Sequence, residues 1–371
     1  MIPRLGLRRL SRGWWLLPPL LGWLLLQLFR HDADLAEAYA ARWRPILIAP
    51  LRILANLVPF SAAQLLLAAL ALLFLIGLLS LLPRLRRPIT LLPALGRRLR
   101  IVAIILSMSL TLYLVFHAWN YERLSLASHL GWTVRQHDAA ELYRASCHVR
   151  DQAILHRADL PQDQDGAMAP RADESLSQEL GRAFAGWERL GEVYPVLRTA
   201  PVRPKIVLFS NYWSYTGITG MFMPLTAEAN VNVDARVDER LAVALHEIAH
   251  VAGYAREDEA NALAFLAGIH HPDQDYRYSA WLLAFVHMST RLAGADHDLW
   301  LELWEPVPAS IRADISRRNA YWKAFEGPVQ ETSTRVNDQV LKANRQHDGV
   351  QSYGRMVDLV LTWYETERPD A

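Results

Sequence analysis

The chain has 371 residues, with 39 Lys and Arg against 38 Asp and Glu, and 52% of it is hydrophobic. Its near-zero charge balance supplies no basic surface for nucleic acid. A single cysteine, Cys147, excludes an intrachain disulfide framework. The apolar residues are unevenly placed, and they divide the chain into a membrane part over residues 1–119 and a soluble part over 120–371.

Residues 14–29 are apolar apart from Gln27, and Arg4, Arg8, Arg9 and Arg12 precede them. The run is short for a span and carries Pro18 and Pro19. It is read as an uncleaved first span, with a secretory signal cut near Ala36-Glu37-Ala38 as the alternative. Residues 62–82 are broken only by Gln64, Gly77 and Ser80. About 20 such residues cross ~30 Å of hydrocarbon. Residues 101–119 form the third span, in which Ser107, Ser109 and Thr111 can bond their own backbone or a neighbouring helix.

Between the second and third spans lie Arg84, Arg86, Arg87, Arg97, Arg98 and Arg100, with no acid. By the positive-inside rule this loop and the arginine-rich N-terminus are cytoplasmic. Residues 31–61 carry Asp32, Asp34 and Glu37 and belong on the other side. Within them, 45–60 is apolar but interrupted by three prolines and Arg52, and reads as an interfacial or re-entrant segment on the membrane face. Everything after Trp119 is then extracytoplasmic. Trp14, Trp23 and Trp119 fit interfacial anchors.

In the soluble part, helices are predicted over 136–156 and 175–193, the second opened by a Ser175–Gln178 capping box. An exposed loop covers 160–172. Strands are predicted over 204–210, 222–225 and 229–233. In the last, Asn230 and Asn232 alternate with Val231 and Val233, which reads as a half-exposed edge strand. Helices follow over 238–252, 256–270, 275–293, 308–325, 334–346 and 353–367. Trp281, Trp300, Trp304 and Trp322 are assigned to packing in this helical lobe, His270 and His271 to a helix end, and His297 to a polar loop.

The informative stretch is His246-Glu247-Ile248-Ala249-His250, inside the apolar run 241–252. On a helix, residues four apart share a face, so His246 and His250 can present their imidazoles to one ion. Glu247 beside them is placed to take a proton from water at such a site. The alternative is an amphipathic helix with solvated His and Glu. The apolar surroundings oppose it, because buried polar groups need partners and a zinc ion supplies them.

A third ligand is needed. A histidine six residues after the second is absent, since that position holds Arg256. The pattern E-x-x-A-N is present as Glu257-Asp258-Glu259-Ala260-Asn261, which makes Glu257 the third ligand and Glu259 its competitor. Asn261 falls on the same face as Glu257 and can hydrogen-bond a ligand histidine.

These segments resemble a bacterial membrane family described only as domain of unknown function 3810. The resemblance rests on Met223-Pro224-Leu225-Thr226-Ala227-Glu228-Ala229-Asn230-Val231-Asn232, on the His-Glu-x-x-His helix and on Arg256-Glu257-Asp258-Glu259-Ala260-Asn261. It is joined by Val58-Pro59-Phe60-Ser61, Trp119-Asn120-Tyr121-Glu122-Arg123, Tyr276-Arg277-Tyr278-Ser279, Val336-Asn337-Asp338 and Ser352-Tyr353-Gly354, and so covers nearly the whole chain. It implies a three-span membrane protein with a gluzincin-like peptidase core, in which a small sheet precedes the metal helix and offers an edge strand to an extended substrate. Residues 229–233 are the candidate edge. Among residues in the shared regions, Tyr353 and then Tyr278 are the candidate donors to transition-state charge.

The expectation is an α+β protein: N-terminal transmembrane helices (14–29, 62–82, 101–119), then a mostly helical zincin-like domain with a small sheet. Its expected function is that of a zinc metallopeptidase anchored in the bacterial inner membrane, acting on peptide or protein substrates outside the cytoplasm. The ion is expected on His246, His250 and Glu257, with Glu247 as the general base. The alternative is a zinc-binding sensor or scaffold of little or no activity.

Overall fold

The computed structural model describes residues 13–86, 88–346 and 348–367. Arg4, Arg8, Arg9, Arg12 and Arg87, counted in the charge asymmetry, lie outside them. The chain opens with helices α1 (Leu17–His31), α2 (Ala33–Ala38), α3 (Arg44–Asn56), α4 (Ala62–Leu79) and α5 (Pro88–Phe116). Two stretches built on α4 and α5, Ala62–Leu85 and Ile89–Glu122, are long and apolar enough to cross a membrane. Beyond its first turn α4 exposes leucines all round, as lipid contact requires. The first expected span becomes α1, which has 15 residues. At 1.5 Å per residue it rises about 22 Å, short of a ~30 Å hydrocarbon core. It packs along α5, where Trp119 Nε1 donates to Gly22 O at 2.9 Å.

The segment expected to be interfacial or re-entrant, 45–60, is mostly regular helix. α3 buries Arg44, Ile48 and Ala55 and turns Ile46, Leu47, Ile53 and Leu54 outward. Arg44 is 1% exposed. Its Nε donates to Phe116 O at 3.1 Å, its Nη1 to Val251 O at 2.8 Å and its Nη2 to His250 O at 3.0 Å. Burial lowers its pKa to about 10, so it remains a cation at neutral pH. The guanidinium thus ties the end of α5 to the last carbonyls of the His-Glu-x-x-His helix, where a cation is favoured. Arg44→Met removes the guanidinium from three carbonyls, of which His250 O keeps Gly253 N and Phe116 O keeps Asn120 Nδ2. A loss of about 3–5 kcal/mol is expected. Thermal unfolding in detergent reads it, and an unchanged transition would rule out this clamp.

The soluble part continues with α6 (Leu126–Leu130), α7 (Ala139–Arg157), α8 (Leu176–Gly181), α9 (Phe184–Val193), β1 (Lys205–Ile206), α10 (Ser210–Ser214), β2 (Gly220–Met223) and β3 (Glu228–Val231). The helix predicted over 175–193 is broken into α8 and α9, and the strand predicted over 204–210 is cut to two residues because Phe209 turns into α10. The sheet order is β1-β3-β2, with β1 parallel and β2 antiparallel to β3.

β3 is therefore the central strand, not the edge. The Asn/Val alternation misled because these asparagines bond neighbouring segments instead of water. Asn232 Nδ2 donates to Ser214 Oγ and Ile218 O, both at 3.0 Å. The outer side of β1 is covered by Pro59–Ser61 main chain: Ile206 N donates to Pro59 O at 2.9 Å, and Ser61 N to Ile206 O at 3.0 Å. Glu228 of β3 accepts from Ala62 N and Ala63 N, both at 2.9 Å. A carboxylate on a helix N-terminus is favourable, and it fastens the sheet to the first turn of α4.

The rest is helical: α11 (Val237–Ala252), α12 (Glu257–Ile269), α13 (Gln274–Ala295), α14 (His297–Trp304), α15 (Ala309–Lys323), α16 (Pro328–Ala343) and α17 (Met356–Glu367). His297 starts a helix instead of lying in a loop, since Asp296 accepts from Asp298 N and Leu299 N. α16 begins at Pro328, a residue suited to a first helical position. A 3-10 turn, Gly349–Arg355, precedes α17. Leu245, Ile248, Leu263, Phe265 and Phe285 form one buried core that also contains Ile48 and Phe116. Packing therefore continues across residue 119, where the sequence reading divides the chain.

Candidate metal centre

α11 is set by its composition. Asp238 and Glu239 lie in its first turn, favourable at the positive helix end. Leu241, Leu245 and Ile248 bury its inner face completely. It ends at Gly253, φ +102°, where Gly253 N donates to His250 O and Tyr254 N to Ala249 O. That left-handed turn suits glycine, and a Cβ there would also lie 3.0 Å from Arg44 Nη1. The turn sends the chain back so that Glu257, the first residue of α12, faces the histidines.

Glu257 Oε2 lies 3.2 Å from His246 Nε2 and 3.5 Å from His250 Nε2. Ligands about 2.0–2.2 Å from a tetrahedral ion are about 3.3–3.6 Å apart, so this spacing suits a zinc-sized cation. The two rings are turned for the same purpose. His250 Nδ1 bonds Tyr254 O at 2.7 Å, and a carbonyl only accepts, so the proton sits on Nδ1 and leaves Nε2 to the centre. His246 Nδ1 bonds Asn261 Oδ1 at 2.8 Å, and Asn261 Nδ2 donates to Tyr353 O at 3.3 Å, which orients the amide. Glu257 Oε2 is buried without a hydrogen-bond partner. Its negative charge faces both ring nitrogens, and the same field favours a cation between them. The residues fit the ion.

The competing carboxylate points elsewhere. Glu259 Oε1 accepts from Leu126 N at 2.9 Å and from Arg256 Nη1 at 2.8 Å. Arg256, at the position where a third histidine would stand, donates instead to the carbonyls of Tyr121 and Arg123.

The cluster opens into a cavity of about 840 Å³ walled by β2, α11, α13, α16 and, just past α5, His117 and Tyr121. Glu247 is buried in its wall, and burial pushes its carboxyl up to about 7. Tyr353 lines the same cavity, beside Glu257 and Asn337. Tyr278 does not. It is fully buried, its hydroxyl bonds Asp314, and the Arg157 guanidinium lies 5.7 Å over its ring, so it is a core residue away from the site.

His117 was not singled out from the sequence. It follows α5 directly and sets its ring edge-on to His250, centroids 5.8 Å apart. It ends an apolar run and carries no local motif, so only tertiary structure could bring it here. His287 also lines the cavity, with its pKa lowered to about 4 by burial.

The strand along the site is β2. Asn232 N donates to Thr219 O, and Val207 N to Val231 O. By antiparallel alternation, the main-chain groups of Gly220 and Phe222 face away from β3, on the free edge. At Gly220 a Cβ would lie 2.5 Å from Glu247 Oε1 and 2.6 Å from Val243 Cγ1. Gly220→Ala must therefore displace Glu247. Its expected result is a fall in any hydrolytic turnover of about tenfold or more with metal content unchanged. Unaltered turnover would show that the β2–Glu247 contact is unimportant.

These features define a mostly helical protein with two apolar helices of membrane-crossing length and a largely buried His–His–Glu cluster facing a cavity. The family model described as "Protein of unknown function (DUF3810)" matches residues 39–361, and the chain belongs to that family. No curated protein and no solved structure matches it.

Proposed function

We propose that the protein is a membrane-anchored, zinc-dependent peptidase with a gluzincin-like arrangement. The observation that carries this reading is the convergence of His246, His250 and Glu257 on one point, their ligand atoms within 4.8 Å of one another, with Glu247 in the same cavity. When bound there, zinc would polarise a peptide carbonyl and lower the pKa of water.

The residues then divide the work. His246, His250 and Glu257 hold the ion, with Asn261 and the Tyr254 carbonyl fixing the two rings. Glu247 takes the proton from the attacking water and passes it to the leaving amine. The free edge of β2 at Gly220 and Phe222 pairs with an extended substrate through the main chain, which demands little of the substrate's sequence. Tyr353 is the candidate donor to charge developing on the substrate oxygen. The test is cleavage of an unstructured protein by the detergent-solubilised full chain. Activity should vanish with a chelator and return with added zinc, and no cleavage of varied substrates by the zinc-loaded protein would count against the reading.

The proposed location is the bacterial inner membrane, crossed three times, with α1 completing its crossing through flanking residues and the site outside the cytoplasm. Arginine asymmetry around α4 and α5 supports the orientation. Reporter fusions after residues 90, 125 and 371 should read inside, outside and outside. A cytoplasmic signal at residue 371 would reverse the orientation.

A further inference from the structure

The cavity is built against the ends of the two apolar helices. His117, in its wall, is the residue after α5. Also in its wall, Thr216, Gly217 and Ile218 follow directly on a segment tied to the start of α4, where Leu208 N donates to Gln64 Oε1 at 2.7 Å. That segment, residues 208–215, shows large side chains to the outside. Leu208 is 51% exposed, Phe209 54%, Tyr212 72% and Tyr215 49%. The rings of Phe209 and Tyr212 touch edge-on, centroids 6.4 Å apart.

A second apolar face lies at the same end of the helices. α3 turns Ile46, Leu47, Ile53 and Leu54 outward and is followed by Leu57, 72% exposed. Its C-terminal turn is joined to the strand leading into 208–215. Lys205 Nζ donates to Ala55 O at 2.7 Å, and Arg203 N to Asn56 Oδ1 at 3.0 Å. Contiguous apolar surface of this kind is unfavourable in water by about 25 cal/mol per Å². Both faces adjoin the first turn of a helix long and apolar enough to cross a membrane. Tyrosine and phenylalanine beside such a helix end match the headgroup region, where a ring is apolar and a hydroxyl stays wet.

We propose that residues 208–215 and the outer face of α3 are seated together in the lipid interface, so that the cavity opens at the bilayer surface. On the peptidase reading above, on which this second step rests, the substrate class is a polypeptide held at the membrane, by a lipid anchor or by its own span. Such a chain passes the β2 edge within the depth its tether allows, whereas a soluble peptide gains no local concentration there.

The test uses the full chain in phospholipid nanodiscs with Cys147→Ser as background. Nitroxide labels are placed at Tyr212→Cys and Ile53→Cys, with Leu155→Cys as a reference, exposed on α7, which packs on α13, α14, α15 and α17. Relative accessibility to oxygen and to a water-soluble nickel chelate reads depth. Labels at 212 and 53 should lie about 5–10 Å below the headgroup–water boundary, the depth of interfacial segments, and the label at 155 in water. A label at 212 as open to nickel as that at 155 would overturn the lipid seat whatever the protein cleaves. A label shielded from both reagents, with a doubled particle mass, would also overturn it by showing a second copy on this face.

The substrate step is read separately, by comparing one unstructured peptide with and without a myristoyl chain. Faster cleavage of the acylated form in discs, with the difference lost in detergent, supports it. Equal rates with a confirmed lipid seat would overturn the substrate class alone, and cleavage of neither form would count against the peptidase reading while leaving the seat intact.

Discussion

Glu247→Gln should lower peptide-bond hydrolysis by about two orders of magnitude or more, the scale for losing a positioned general base, while zinc content and thermal stability stay close to the wild type. Glu247 follows a ligand in sequence but is not one of the three residues whose atoms converge. Glutamine keeps its size, and the buried site loses a carboxylate that burial already disfavours. His246→Ala is the contrasting variant. It should lose zinc and activity together, along with the Asn261 bond that orients the ring. The assay is turnover of an unstructured protein with metal analysis of the same samples. Should the wild type cleave nothing while Glu247→Gln still sustains the protein's cellular role, the centre serves structure or sensing, and the peptidase reading fails.

The second large effect separates the two neighbouring glutamates. Glu257→Ala should lose most of the bound zinc, because it removes the carboxylate that faces both Nε2 atoms. Glu259→Ala should keep the zinc and lose stability instead. Its carboxylate satisfies Leu126 N and pairs with Arg256, which in turn holds the carbonyls of Tyr121 and Arg123. Orphaning a buried amide and breaking the ion pair of a part-buried guanidinium costs about 2–4 kcal/mol. Metal analysis and unfolding of both purified variants decide it. Zinc loss in the Glu259 variant with retention in the Glu257 variant would mean that the other carboxylate is the ligand.

What could be read without coordinates was local. His246 and His250 share a helix face because four residues make about one turn. The E-x-x-A-N spacing set Glu257 and Asn261 on one face of the following helix, and the structure brings both to the histidines. The apolar runs at 62–82 and 101–119 declared themselves by length and composition.

Long-range placement was decided only by tertiary structure. Alternation of Asn and Val in residues 229–233 carries the same pattern whether water or protein lies on the polar side, so the central strand looked like an edge and β2 went unnoticed as the strand along the cavity. Tyr278 and Tyr353 are the same residue type in equally plausible segments. One is held in the core by Asp314 and the other stands beside Glu257, a difference set by which helices pack together. Arg44 is 72, 206 and 207 residues from the three carbonyls it clamps, chain separations no local pattern records. The Glu228 carboxylate on the first turn of α4 is 166 and 165 residues from the amides it binds. Spacing along a helix constrains residues within a few turns. Which surfaces meet across the fold depends on how the buried areas of all the elements are satisfied at once, and that is how His117 and Tyr121, just past α5, came to wall the cavity.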